Sequence, residues 1–165
     1  MIPIAPLAFA LLLSSSPASD PTDCPLHASH MAAAAHREEV DARGDGAMGF
    51  SQEATTHHFR ATESGGIIEV TVRDAADSAT LAAVRSHLQH IAVAFEAGDF
   101  SIPEAVHAQV PPGVAAMRRA GDAISYRYQE LPAGAQVVIT ATGKAAVDAV
   151  HDFLGFQVAE HGTGD

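Results

Sequence analysis

The sequence is poor in cysteine, in basic residues and in long apolar stretches. A single cysteine among 165 residues cannot form an internal disulfide. Lys and Arg number 9 against 20 Asp and Glu, and the resulting formal charge of −11 disfavours nucleic acid or an anionic membrane surface as a partner. The apolar run from Ile2 to Leu13 is too short to cross a bilayer. The sequence therefore predicts no membrane span and no nucleic-acid partner.

Familiar catalytic and ion-binding motifs are also missing. Residues 41–52 resemble a calcium loop at Asp45, but Arg43 stands where that loop needs an oxygen ligand. Residues 142–145 lack the upstream glycine and the hydroxyl residue of a phosphate-binding loop. No Gly-x-Ser-x-Gly sequence is present. These absences leave no recognisable enzyme class.

The first 18 residues predict an export signal, because an apolar run is followed by small residues that form a plausible cleavage site. We therefore expect a periplasmic or secreted protein. Residues 19–47 are expected to form a flexible, histidine-containing segment with a short helix from His27 to Ala42. The folded domain is expected to span residues 48–165.

Two runs of strand-forming residues predict a β-hairpin. They extend from Thr55 to Thr62 and from Ile67 to Arg73, and the four residues between them include two glycines. A loop of that length places His57 opposite Val72. His57 then shares the apolar face of the hairpin.

The second half of the chain repeats this plan. A helix from about Asp77 follows the first hairpin, and its apolar residues recur at alternating spacings of three and four. Residues 123–130 and 136–142 predict a second hairpin, and a second helix begins near Lys144. Residues 99–121 are expected to form a linker. The predicted fold is an α+β domain: a four-stranded antiparallel sheet from two strand-strand-helix repeats, with two helices on one face, preceded by a short N-terminal helix.

Histidine is the residue that the sequence has in excess, with 10 against 9 Lys and Arg. Cys24, His27, His30 and Met31 cluster near the N-terminus, and thiolate, imidazole and thioether together favour copper or zinc. The Cys-Pro-Leu-His stretch resembles the Cys-Pro-Met-His core of short heavy-metal-binding segments in bacterial copper and silver efflux proteins, which implies metal binding. The alternative is an exported tail whose polar residues bind nothing.

A second histidine cluster lies in the predicted domain. His57 and His58 are neighbours on a strand, so they point to opposite faces, with His57 toward the helices. On the next helix His87 flanks the apolar stripe and can meet His57, whereas His90 is closer to solvent. Met48 stands just before the strand and can add a thioether. A fixed scaffold favours this cluster for the tightest copper or zinc site, whose affinity is expected to fall between about pH 7 and 5.

Three alternatives remain open. His57, His87 and His151 can be boundary histidines that bond to backbone or acidic neighbours. A second alternative is an enzyme with His57 or His87 as general base, although no nucleophile or cofactor loop accompanies them. The third is a binding module for a small molecule or a protein, which would use the uncovered face of the sheet. Its candidate residues are Ser125, Arg127, Gln129, His58, Arg60 and Glu69.

The domain also resembles a small family of exported bacterial proteins. The resemblance is carried by residues 48–51 and 55–59, by 109–114, and by 151–154 through the terminal 161–165. Some members are labelled aspartate carbamoyltransferase, but this sequence lacks the two large α/β domains and the carbamoyl-phosphate motifs of that enzyme. The resemblance implies export and provides no assigned catalytic residues.

Overall fold

A computed structural model describes the backbone of residues 25–164, with side chains from Ser29 onward. The contacts divide the chain into one unit up to Ala33 and a second unit from Ala34. The helices are α1 (Pro25–Met48), α2 (Ser78–Glu96), α3 (Ser101–His107), α4 (Val114–Ala120) and α5 (Lys144–His161). The strands are β1 (Thr55–Thr62), β2 (Gly65–Val72), β3 (Ile124–Leu131) and β4 (Gly134–Ala141). No helix in this part of the chain is long and apolar enough to cross a bilayer.

The four strands form one antiparallel sheet in the order β1-β2-β4-β3, and α2 and α5 cover one of its faces. The buried stripes of the helices, represented by Leu88 and Leu154, pack against inward-facing strand residues such as Ile68 and Val137. Burial of this apolar surface is the main stabilising contribution to the fold. The predicted α+β class, with two helices on one face of a four-stranded sheet, is confirmed.

The two strand-strand-helix repeats correspond position by position. Strand residues 69 apart are equivalent, as Gly65 and Gly134 show, and helix residues 66 apart are equivalent, as Leu88 and Leu154 show. Each helix packs chiefly on the hairpin of the other repeat, α2 on β3 and β4 and α5 on β1 and β2. This exchange joins the two repeats into one core.

Two glycines allow the hairpins to meet at the centre of the sheet. A Cβ atom on Gly65 would collide with the backbone oxygen of Ile139, and one on Gly134 would collide with that of Val70. Gly65 also has φ +143°, a conformation that other residues rarely adopt. Both positions therefore require glycine for the close approach of β2 and β4.

Both hairpin turns are shorter than the sequence predicts. β1 continues to Thr62 and β2 begins at Gly65, which leaves a two-residue turn. His57 consequently pairs with Val70, and the predicted pairing with Val72 is wrong. Because the register differs by two residues, each side chain keeps its face, and His57 still points toward the helices.

The N-terminal helix is longer than predicted. It does not end at Ala42 but continues through two glycines to Met48, where a flexible loop was expected. Val40 is fully buried, and Arg43 Nε donates to a backbone carbonyl of α3 at 2.7 Å. The second unit begins at Ala34, within α1, and therefore includes the last part of that helix. The sequence predicts the start of the folded domain at residue 48.

Residues 99–121, predicted to be a linker, contain α3 and α4. Each helix has seven residues, which is too short for a clear apolar period in the sequence. The segment contributes Phe100, Val106, Val114 and Met117 to the buried residues. It is therefore part of the core.

Candidate functional site

A cavity of about 70 Å³ lies between the inner face of the sheet and the helices. Its wall is almost entirely apolar, and its side chains with polar atoms are four imidazoles and one amide. These side chains are His57 on β1, His87 on α2, His107 on α3, and Gln157 and His161 on α5. Met48, at the end of α1, lines the same cavity.

His57 stands on the sheet side of the cavity. Its Nε2 atom is buried and has no hydrogen-bond partner. Its ring lies parallel to those of Phe50 and His161, with centroids 6.2 and 6.0 Å away. Burial, followed by the neighbouring His161 and His87, lowers the pKa of His57 to about 3. The imidazole is therefore neutral near pH 7, and Nε2 is available to a ligand.

His87 reaches the same cavity from α2. The ring of Phe50 contacts it edge-on, with centroids 5.6 Å apart, and so touches both imidazoles. Burial, followed by His90, lowers the pKa of His87 to about 4. The structure thus brings three of the predicted ligands, His57, His87 and Met48, to one cavity.

His161 is oriented by a hydrogen bond from outside the cavity. Its Nδ1 lies 3.1 Å from Gln52 Oε1, and since that oxygen only accepts, Nδ1 carries the proton and Nε2 keeps its lone pair. Burial, followed by His107, lowers the pKa of His161 to about 4. Histidines that bind metal ions commonly donate their other ring N–H in this way.

His107 and Gln157 form a buried polar pair, only 3% and 4% exposed. His107 Nε2 donates to Gln157 Oε1 at 3.0 Å, and the amide nitrogen of Gln157 has no partner. Glu160 Oε2 lies 3.5 Å from His107 Nδ1 and 2.8 Å from Nε2 of the exposed His36. Burial lowers the pKa of His107, and the contacts with Gln157 and Glu160 oppose that shift.

An open cleft shares His57 and His161 with the cavity as lining residues. Four carboxylates line this acidic cleft, from Glu38, Asp41, Asp45 and Glu53. Burial, followed by the nearby Asp45, raises the pKa of Asp41. The negative lining attracts cations to the histidine side of the cavity.

The other predicted ligands in the domain lie away from this cavity. His90 is exposed on α2, and His58 is on the opposite face of the sheet from His57. Among the side chains that the structure describes, no three from His, Cys, Asp or Glu are placed to hold a metal ion together. A metal ion at His57 and His87 would therefore depend on the thioether of Met48 or on side-chain rotation.

The N-terminal cluster is only partly within the described residues. Cys24 and the side chain of His27 lie outside them. His30 and Met31 are exposed on the first part of α1, with Met31 at 59% exposure. The metal site predicted from Cys24, His27, His30 and Met31 thus stays a prediction.

His151 has the role that the boundary-histidine alternative describes. Its Nε2 donates to the backbone oxygen of Thr62 at 2.9 Å, at the end of β1. The equivalent residue of the other repeat, Arg85, donates from Nη2 to the oxygen of Leu131 at 2.9 Å, at the end of β3. Both side chains cap the last carbonyl of an edge strand.

The uncovered face of the sheet is internally paired at several positions. Arg60 forms a 2.6 Å salt bridge with Glu69, and Gln136 donates to Gln129 at 2.7 Å. Arg60 is therefore already neutralised by a carboxylate, whereas the binding-module alternative needs it for an anion. Nothing in these contacts favours a ligand on this face over solvent.

Sequence reasoning missed His107, Gln157 and His161 as cavity residues. Alignment of the two repeats would have indicated that two of them face the core, because Gln157 and His161 are equivalent to Ile91 and Phe95 of the buried stripe of α2. His107 has no such signal, since α3 belongs to neither repeat.

Comparisons of the chain with protein-family models, with curated proteins and with solved structures found no match. The two resemblances noted in the sequence therefore stay predictions. Function has to be inferred from the cavity and its histidines.

Proposed function

We propose that the protein binds one copper ion, as Cu(I), through His57, His87 and the thioether of Met48. The observation that carries the proposal is the buried, unpartnered Nε2 of His57 in a cavity that His87 and Met48 also line. His161, oriented by Gln52, provides a further imidazole beside His57. The role we infer is sequestration or handling of the metal in an exported protein, since residues 1–18 predict export.

The chemistry of the cavity favours copper over the other common ions. Imidazole and thioether are ligands that soft copper accepts, whereas magnesium and calcium require oxygen. A divalent ion with only neutral ligands would bring two uncompensated charges into an apolar space, which is unfavourable. Cu(I) brings one charge and accepts two or three ligands. Zinc is the closest competitor because it also binds imidazole, but it usually takes four ligands.

The lowered pKa values change the expected pH dependence of binding. Imidazole must be neutral to bind a metal ion. His57 and His87, with pKa values of about 3 and 4, stay neutral down to mild acid. Copper affinity at the cavity should therefore be nearly constant from pH 7 to 5. A site built from exposed histidines, with pKa near 6.5, would weaken over the same interval.

The test is a metal titration of the tag-free chain beginning at residue 19, with Cu(I), Cu(II) and Zn(II). We expect one tightly held Cu(I) per chain, and we expect its loss in the double variant His57→Phe, His87→Phe. Phenylalanine suits both positions, because the equivalent residues of the other repeat are Tyr126 and Phe153. His90→Ala, on the same helix, is the matched control and should retain the ion. Failure to hold any ion at micromolar concentration contradicts the proposal.

A truncation separates the cavity from the N-terminal cluster. It should remove residues 19–33 and keep the rest of α1, because Val40 is fully buried and Arg43 bonds to α3. We expect the truncated chain to bind fewer ions but to keep the tightest one. Loss of all binding would place the metal site in the N-terminal segment and would contradict the cavity site.

A further inference from the structure

One end of the cavity holds an amide that the proposed copper site does not use. Gln157 Oε1 accepts a hydrogen bond from His107 Nε2, but Gln157 Nε2 is buried without a partner. The carboxamide nitrogen has two N–H donors, and leaving them unpaired in an apolar space is unfavourable. Gln157 is only 4% exposed, so bulk water does not satisfy them.

Packing does not require an amide at this position. The equivalent residue of the other repeat is Ile91, which is 5% exposed and fills its place in the core with an aliphatic side chain. Gln157 thus carries a cost that the equivalent position of the other repeat avoids. Such a cost is offset when a bound molecule supplies the missing acceptor.

We propose that the cavity is a binding site for a small uncharged molecule whose carbonyl or hydroxyl oxygen accepts a hydrogen bond from Gln157 Nε2. The short apolar part of this molecule packs against Leu88, Ile102 and Val106, which line the same cavity. Gln157 Nε2 can only donate, and the described residues that line the cavity include no Lys or Arg to compensate an anion, so the acceptor belongs to an uncharged molecule.

The volume limits the size of the ligand. A cavity of about 70 Å³ is half the roughly 150 Å³ that accommodates benzene in a protein core. The ligand therefore has about three or four non-hydrogen atoms, as ethanol or acetone does. The competing occupant is an ordered water bonded to Gln157, since the cavity is large enough for one.

The test uses the full chain, isotopically labelled and kept free of metal with a chelator, so that its outcome is independent of copper binding. The probe is acetone, and xenon is the control probe that fills apolar space without an acceptor. We expect saturable binding of acetone, a shift of the Gln157 side-chain amide resonances, and nuclear Overhauser contacts with the methyl groups of Leu88 and Ile102. In Gln157→Met the affinity for acetone should fall about tenfold, while xenon binding is retained.

Absence of contacts between acetone and the cavity methyl groups would overturn the proposal. Equal affinity in Gln157→Met would do the same, because the amide would then have no part in binding. A water that stays bonded to Gln157 at saturating acetone also overturns it. If Gln157→Met does not fold, the nuclear Overhauser contacts between the probe and the cavity methyl groups of the wild-type chain are sufficient to test the proposal.

Discussion

The two repeats place different chemistry at equivalent positions. Tyr126 on β3 meets Phe95 on α2, with ring centroids 5.6 Å apart. At the equivalent contact, His57 on β1 meets His161 on α5, with centroids 6.0 Å apart. The two strand residues are 69 positions apart and the two helix residues 66, so the pairs are related by the same internal repeat.

The aromatic pair belongs to a cluster of packed rings, whereas the histidine pair brings an unpaired nitrogen to the cavity that Phe95 also lines. Phe95 lies 4.3 Å from Phe100 and 5.8 Å from Phe153, centroid to centroid. On the histidine side the buried Nε2 of His57 has no partner. The fold can therefore fill this position with apolar rings, and histidine there is a cost. Costs of this kind are expected where a protein binds something.

The largest effect that we expect is a loss of stability in mild acid. His57, His87 and His161 have folded pKa values of about 3 to 4, against an ordinary value of 6.5 in the unfolded chain. As the pH falls below 6.5 the unfolded chain takes up protons that the folded chain does not, so the folded state loses stability until about pH 4. Each histidine should cost about 1 to 2 kcal/mol between pH 7 and 5.

Urea unfolding at pH 7 and at pH 5 measures this loss. His57→Phe and His161→Phe, which make the histidine side resemble the aromatic side, should each reduce the difference between the two free energies of unfolding. His90→Ala, at an exposed position, should leave it unchanged. A free energy that is the same at both pH values would show that these histidines are accessible to protons in the folded protein.

The elements that could be predicted from the sequence are those with a local apolar pattern. Alternating apolar residues and apolar residues three or four apart indicate, within a short stretch of sequence, which face of a strand or helix is buried. The strands, α2, α5 and the inward direction of His57 could therefore be predicted. The turn length did not, because Gly65 and Gly66 resemble loop residues and yet begin β2. Gly65 must be glycine because β2 approaches β4 there, and Gly66 because a Cβ would collide with Leu154 of α5 and the backbone of β1. No local pattern contains these contacts.

The site was predicted only in part for a similar reason. His57 and His87 lie on elements with strong periodicity, so their meeting could be argued from register and helical angle. His107 is on a seven-residue helix without such a period, and His161 is at the end of α5. The approach of His161 to His57 depends on the tertiary exchange of helices between the repeats, whereas His107 reaches the cavity from α3, which belongs to neither repeat.

Glycine substitutions test whether the repeats are equivalent at the centre of the sheet. Gly65→Ala and Gly134→Ala should each lower the free energy of unfolding by about 3 kcal/mol, because the new Cβ collides with a strand backbone. Gly65→Ala should be the worse of the two because of its φ of +143°. Gly155, on α5 with nothing near its Cβ position, is the control, and Gly155→Ala should be neutral or slightly stabilising. A tolerated Gly134→Ala would mean that β2 and β4 separate at little cost.

The smallest effects that we expect are at the two edge-strand caps, where the repeats use different residues for one purpose. His151 caps the oxygen of Thr62 and Arg85 caps that of Leu131, both at 2.9 Å. Each bond ends in a partly exposed group, so His151→Ala and Arg85→Ala should each cost only about 1 kcal/mol.

Urea unfolding of both variants at pH 7 checks the expected equality of the two caps. His151→Gln, which keeps an N–H donor, should recover part of the loss. If His151→Ala costs much more than Arg85→Ala, the two positions are not equivalent and His151 has a role beyond the cap. Similar losses of stability in His151→Ala and Arg85→Ala would show that His151 serves only as a hydrogen-bond donor, as Arg85 does. His151 would then differ from His57, which has no such structural role. The effect of a histidine in the cavity should instead depend on pH and on copper.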